Sequence, residues 1–149
     1  MQILHTSPAE ITKIHSNGVA GDCLFFTAGD CVDDAYSMSQ CETIVYSMDI
    51  EDDKIIEVCF LDDQEIADQI AELFDVEDEE AWMLLDGRMN GIDTDSYTME
   101  NDWALQGLRG ECAKKMGYDA CEDTDEQGTV YIVPMTGLED RLTKIGTAK

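Results

Sequence analysis

Short stretches rich in β-branched and aromatic residues predict three strands in the amino-terminal third of the chain. They cover residues 2–5, 23–27 and 43–50, and the last has the clearest alternation of apolar and polar positions. Successive side chains of a strand point to opposite faces, so at least one of Phe25 and Phe26 should belong to the core. Residues 31–40 are compatible with a short helix that carries Tyr36.

The middle of the chain changes to a helical pattern. Residues 54–61 can add one more short strand, and residues 62–74 have apolar positions at helical spacing with acids on the other face. The acids of residues 75–80 favour the first turn of a second helix, which should end near Gly87 or Gly91. A longer helix is predicted over residues 96–116, although Gly107 and Gly110 lower its helix propensity.

The final third predicts a β-hairpin. Residues 117–122 and 129–133 have strand character, and the polar residues 123–128 between them are typical of a turn. No repeat, proline-rich linker or low-complexity tract divides the sequence. A length of 149 residues therefore predicts a single domain over residues 1–149.

Charge narrows the possible partners. The chain has 34 acidic and 9 basic residues, a formal net charge of −25. Direct binding of nucleic acid is not expected, because phosphate recognition needs a basic surface, whereas a basic protein partner would be attracted. The six cysteines include no CxxC pair or zinc-finger spacing, so we expect reduced thiols and no metal site. Neither a secretion signal nor a long apolar span is evident, which favours a cytoplasmic protein.

Several motifs, taken in order, resemble a known family. A strand ends in His5-Thr6-Ser7, a glycine-bearing loop leads into Leu-Phe-Phe-Thr, a tyrosine follows, and an acid lies beside a terminal hairpin. This order resembles the ADP-ribosyltransferase fold of the diphtheria-toxin type. MQILHTSPAEIT at residues 1–12 and DEQGTVYIV at residues 125–133 are similar to phage anti-CRISPR ADP-ribosyltransferases that inactivate a type I-F surveillance complex. The resemblance covers both ends of the chain but hardly residues 50–105.

The resemblance implies a fold and an activity. The fold would be α+β, an ADP-ribosyltransferase-like split antiparallel sheet with several helices in one domain. The activity would be NAD-dependent mono-ADP-ribosylation of a subunit of a bacterial CRISPR-Cas surveillance complex, which blocks DNA recognition. NAD would be the co-substrate, and the target would be a Cas subunit with a basic nucleic-acid-binding surface. Such a protein would be encoded by a phage or another mobile element and act in the cytoplasm of the bacterial host.

The resemblance also implies roles for individual residues. Cleavage of the glycosidic bond of NAD passes through an oxocarbenium-like state, so the site needs groups that hold the ribose and a carboxylate that stabilises the developing cation. His5, with Thr6 beside it, is the implied ribose contact. Aromatic rings that stack on nicotinamide are implied on the second strand and the following helix, and Phe26 and Tyr36 are the candidates. The usual glutamate position of the hairpin strand corresponds to Val130, so the acid is assigned to Asp125, with Glu126 in reserve. The assigned site residues are thus His5, Thr6, Phe26, Tyr36, Asp125 and Glu126.

Each of these residues has a structural alternative. A single histidine after a strand is often a hydrogen-bonded structural residue, and a tyrosine often packs with its hydroxyl at the surface. Residues 125–128 also make an adequate hairpin turn without any catalytic purpose. At the level of function, a non-enzymatic acidic DNA mimic could occupy a basic nucleic-acid channel. A structural protein of a phage particle would fit the acidity but leave the paired end motifs unexplained.

Overall fold

A computed structural model describes residues 2–7, 23–28, 43–125 and 128–148. The described strands form one seven-stranded sheet in the order β4-β5-β6-β2-β1-β3-β7. Neighbouring strands are antiparallel except for β4 and β5, which pair in parallel. The strands are β1 (Gln2–Ser7), β2 (Cys23–Ala28), β3 (Thr43–Asp49), β4 (Ile55–Glu57), β5 (Ala120–Asp125), β6 (Gly128–Pro134) and β7 (Thr143–Ala148).

The sheet is split between β1 and β2. Within the described ranges these two strands pair only at Ile3 with Ala28 and at Leu4 with Thr27, whereas β1 pairs with β3 from Gln2 to Ser7. The ladder between β1 and β2 therefore ends before His5. The result is two strand groups, β4-β5-β6-β2 and β1-β3-β7, joined by a short contact. This confirms the predicted α+β fold with a split, mostly antiparallel sheet.

Three α-helices of the described part lie between β4 and β5 in the sequence: α1 (Gln64–Phe74), α2 (Asp78–Leu85) and α3 (Met99–Lys115). Side-chain oxygens cap two of them, since Asp63 accepts from the Ile66 amide at the start of α1 and Thr98 accepts from the Asn101 amide at the start of α3. The apolar faces of the helices form a core with one face of the sheet. None of these helices is long and apolar enough to cross a lipid bilayer.

The glycines of α3 lie close to the sheet. A Cβ atom on Gly110 would lie 2.8 Å from Cγ2 of Ile132 and 2.9 Å from the sulfur of Cys23. The Cys23 thiol also donates a hydrogen bond to the Gly107 carbonyl at 3.5 Å. A glycine within a helix lowers helix stability by about 1 kcal/mol relative to alanine, and α3 contains two of them, Gly107 and Gly110. Close packing against β2 and β6 explains why the helix nevertheless continues through them.

Most predicted elements are present, but β7 was not predicted, β5 begins at Ala120 rather than at residue 117, and three further bounds differ. The strand predicted over residues 54–61 is limited to Ile55–Glu57 and is followed by a 3-10 helix at Val58–Phe60. The long helix begins at Met99 rather than at residue 96, because Thr98 is its N-cap. The hairpin turn is shorter than predicted, since β5 continues to Asp125 and β6 begins at Gly128. The helix predicted over residues 31–40 lies outside the described residues.

Candidate active site

His5 lies where β1 separates from β2. Its Nδ1 is 2.7 Å from the Phe25 carbonyl oxygen of β2. A carbonyl oxygen can only accept, so Nδ1 carries the proton, and Nε2 of the neutral ring keeps a lone pair that can accept a hydrogen bond. Burial lowers the pKa of His5 below its usual value, and the hydrogen bond to Phe25 opposes this shift. His5 is therefore neutral at pH 7 and bridges the split with one ring nitrogen.

A row of four side chains crosses the sheet from His5. The rings of His5 and Phe26 are 5.5 Å apart between centroids. Phe26 is directly opposite Tyr131 of β6, and Tyr131 is directly opposite Glu122 of β5. Residues directly opposite each other in antiparallel strands project from the same face, so these side chains are neighbours. The Tyr131 hydroxyl donates to Glu122 Oε1 at 3.3 Å, which ends the row on a carboxylate.

An open cavity of about 380 Å³ lies at the Glu122 end of this row. It is lined by Asp52, Ile55, Glu57, Glu122 and Tyr131. The three carboxylates disfavour the pyrophosphate of a dinucleotide, because like charges at close range repel. The same lining favours a cationic group. This end of the row is thus electrostatically suited to positive charge.

Asp125 is the last residue of β5 and pairs with Gly128. Its side chain lies outside the described part, so the structure gives no distance from its carboxylate to His5. The strand that carries it is held to the helical layer two residues earlier. Nη1 of Arg109 is 2.6 Å from Oδ2 of Asp123, and Nε and Nη2 of Arg109 donate to the Leu84 carbonyl at 3.1 and 2.6 Å. Both charged side chains are largely buried, so the hairpin is anchored to α2 and α3.

The structure describes only some of the six site residues assigned from the sequence. The backbone of Thr6 lies in β1 next to His5, but its side chain lies outside the described part. Tyr36 and Glu126 lie outside the described residues altogether. Phe26 has only 1% of its surface exposed, and the ring contact observed is with His5. Stacking of nicotinamide on Phe26 therefore stays a prediction. The contact observed for the Phe26 ring packs it against the His5 ring.

Glu122 and Tyr131 were not assigned from the sequence. Both were seen only as parts of predicted strands. Their pairing depends on the register of β5 with β6, in which Glu122 faces Tyr131 because Asp125 faces Gly128. A predicted hairpin with a two-residue connection at residues 126 and 127 would have implied this register. The predicted turn over residues 123–128 was longer and therefore did not pair Glu122 with Tyr131.

The split sheet with a histidine at its opening is the architecture of an ADP-ribosyltransferase-like fold. Comparison with family models gives a match over residues 1–140 to the family described as Anti-CRISPR Type I-F ADP-ribosyltransferase AcrIF11. The chain belongs to this family, which confirms the resemblance found in the sequence. It is therefore an enzyme, a mono-ADP-ribosyltransferase that acts as an anti-CRISPR protein.

A solved structure shows the same fold. The chain is similar to "Crystal structure of an anti-CRISPR protein" with 22% identity and a TM-score of 0.58, covering 97% of this chain and 95% of that chain. At this identity the likeness supports the fold alone. A search of curated protein sequences gave no match.

Proposed function

We propose that this enzyme transfers ADP-ribose from NAD to one side chain of a type I CRISPR-Cas surveillance complex and thereby blocks DNA recognition. The match to the anti-CRISPR family over residues 1–140 carries the proposal. Membership in an ADP-ribosyltransferase family implies NAD as the donor. The modified subunit would have a basic nucleic-acid-binding surface, which the net charge of −25 would attract in the cytoplasm of the bacterial host.

NAD would bind at the opening between β1 and β2. His5 fits the ribose, because its Nδ1 is already engaged with Phe25 and its neutral Nε2 can accept from a ribose hydroxyl. Thr6 is adjacent in β1, and Tyr36 is the proposed stacking partner of nicotinamide. Burial of a planar ring against an aromatic side chain adds about 1 kcal/mol beyond the area buried.

The chemical step would exchange one bond for another at the ribose. The bond between the anomeric carbon and the nicotinamide nitrogen breaks, and neutral nicotinamide leaves with the electron pair. The anomeric carbon becomes oxocarbenium-like and is attacked by a nucleophile of the target, which then loses its proton. A carboxylate near the anomeric carbon lowers the barrier, because it stabilises charge that is largest in the transition state.

Asp125 is the proposed carboxylate, supported by its place in the DEQGTVYIV stretch similar to the anti-CRISPR branch. Glu126 is the reserve. Glu122 is the acid that the structure describes on the same face as His5, although three strand spacings, about 14 Å, separate their strands; its substitution tests whether the acidic cavity contributes to transfer. The three acids can be separated by isosteric amide substitutions, which remove charge and preserve shape.

The test is the mass of each subunit of a type I-F complex after incubation with the protein and NAD. We expect one ADP-ribose adduct on one subunit. Asp125→Asn should lower the rate of transfer by about 100-fold or more with little loss of NAD affinity, since one electrostatic stabiliser has about this effect. Glu126→Gln should have a smaller effect. A full rate for Asp125→Asn together with a large loss for Glu122→Gln would move the role to Glu122.

The acidic composition supports the alternative of a DNA mimic, which makes different predictions. A mimic inhibits without NAD, and removal of one charge from a net −25 hardly changes it. Its affinity would also fall steeply with rising salt. Full inhibition by wild type under NAD-free conditions, with no adduct, would contradict the transferase proposal.

A further inference from the structure

Large apolar side chains are exposed in one short segment that runs from the 3-10 helix at Gly91–Asp93 into the first turns of α3. Four of the six large exposed apolar residues of the described part lie within residues 92–103. Their exposed fractions are 69%, 42%, 61% and 47% for Ile92, Tyr97, Met99 and Trp103, respectively. Isolated exposed apolar residues are ordinary, but a local cluster is a feature of interaction surfaces.

Local contacts hold the four residues in one region. Met99 and Trp103 are one helical turn apart and lie on the same side of α3. The 3-10 helix that contains Ile92 packs on α3, because a Cβ atom on the preceding Gly91 would lie 3.1 Å from Oδ1 of Asp102. Beside Tyr97, the Ser96 carbonyl accepts from Nδ2 of Asn101 at 2.9 Å.

The charge around these residues selects the partner. Between Arg88 and Arg109 the sequence contains four carboxylates and no lysine or arginine. The carboxylates are Asp93, Asp95, Glu100 and Asp102, and all but the last are exposed. This acidic surround repels nucleic acid and anionic lipid, and contact with a second copy would bring like charges together. A basic protein surface is the complementary partner.

We propose that Ile92, Tyr97, Met99 and Trp103, which we call the docking patch, bind a basic, nucleic-acid-binding face of a protein subunit of the surveillance complex. The apolar side chains would supply the buried centre of the interface, since aromatic residues and methionine are enriched there. The surrounding carboxylates would pair with arginine and lysine at its rim. The proposal rests on the proposed function for the identity of the target, but not on the chemical step.

The test measures binding of the full-length protein to an intact type I-F complex in the absence of NAD. We expect Met99→Ala/Trp103→Ala to weaken binding by about tenfold or more, the range for loss of central interface residues. Phe60→Ala is the matched control, because Phe60 is 65% exposed but lies outside the docking patch. That control should bind within about twofold of wild type, as for truncations outside an interface. Circular dichroism checks the fold of both variants.

Two further measurements separate a loss of docking from a loss of catalytic activity and test the role of the rim charges. Hydrolysis of NAD without target should be unchanged in the double variant, whereas its KM for the complex should rise. Glu100→Gln should slow association and reduce its salt sensitivity, because rim charges act mainly on the association rate. Wild type that binds through the docking patch but forms no ADP-ribose adduct with NAD present would leave the docking patch in place and contradict only the transferase proposal.

Three outcomes overturn the docking patch. One is equal affinity of wild type and Met99→Ala/Trp103→Ala for the complex. Another is an equal loss of affinity in Phe60→Ala, which would show a non-specific apolar effect. The third is a wild-type dimer in sedimentation experiments that the double substitution dissociates, which would make the surface an interface between copies of this chain.

Discussion

The buried pair of Arg109 and Asp123 allows a quantitative test of how the hairpin is anchored. Asp123→Asn keeps the shape of the side chain but removes the charge that faces the guanidinium at 2.6 Å. Arg109 is only 4% exposed, so its charge would stay buried with the Leu84 carbonyl as a remaining acceptor. Loss of one partner of a buried pair lowers the free energy of unfolding by about 3–5 kcal/mol. We expect a value near the lower limit, because asparagine can still accept a hydrogen bond.

The reverse substitution, Arg109→Met, removes the charge and all three donated hydrogen bonds. It leaves the Leu84 carbonyl unsatisfied, and a buried group without its partner costs about 1–3 kcal/mol. The double variant Arg109→Met/Asp123→Asn no longer buries an uncompensated charge. Its loss of stability should therefore be smaller than the sum of the single losses by about 1–3 kcal/mol, the coupling expected for residues in contact.

Urea unfolding followed by circular dichroism measures these free energies. Arg88→Met is the control, because Arg88 pairs with Asp86 on the surface and its side chain is 62% exposed. An exposed pair contributes little to stability, because solvent screens it. Additive single effects, or an Asp123→Asn loss no larger than that of Arg88→Met, would refute the view that the pair anchors the hairpin through buried charge.

Two further predictions concern His5 and the contact of α3 with the sheet. Because the folded-state pKa of His5 is lowered, the unfolded chain binds a proton first, so stability should fall as the pH drops below about 6.5 and until the folded-state pKa is passed. His5→Asn should make the urea midpoint of unfolding depend less on pH between pH 7.5 and 5.5. An unchanged pH dependence would contradict a lowered pKa for His5 in the folded protein. Gly110→Ala should lower the free energy of unfolding by about 1–3 kcal/mol despite better helix propensity, because its methyl group meets Ile132 and Cys23. Cys23→Ala in that background should recover part of the loss, whereas a stabilised Gly110→Ala would show that the helix can move away.

The periodicity of apolar residues predicted where helices and strands lie better than it predicted their tertiary contacts. The helix at residues 62–74 was predicted nearly to its ends, because Ile66, Ile70 and Phe74 repeat on one buried face. Helix α3 was less certain because of its glycines, whose close approach to the sheet is a tertiary property. Trp103 is one of the large apolar residues of that helix, yet it is 47% exposed. A single apolar residue does not show which side of a helix is covered.

The candidate site was proposed from residues that follow one another in the sequence, and its roles stay predictions. His5 was proposed from the motif at the end of β1, whereas its hydrogen bond to Phe25 depends on how β1 and β2 separate. The end of β5 was misjudged because Asp123 has a polar side chain typical of turns. Its partner Arg109 comes from a helix earlier in the chain, and this pairing allows a buried aspartate in a strand.

The strand order determines when the sheet around the opening between β1 and β2 can form during synthesis of the chain. Strand β6 lies between β5 and β2, and Phe26 pairs with a residue roughly a hundred positions later. At a synthesis rate of about 5–20 residues per second, β2 waits about 5–20 s for this neighbour. An unpaired strand edge can associate with other chains during that time. The net charge of −25 would keep such chains apart, so the acidity that we propose to attract a basic target would also protect the enzyme while it is being made.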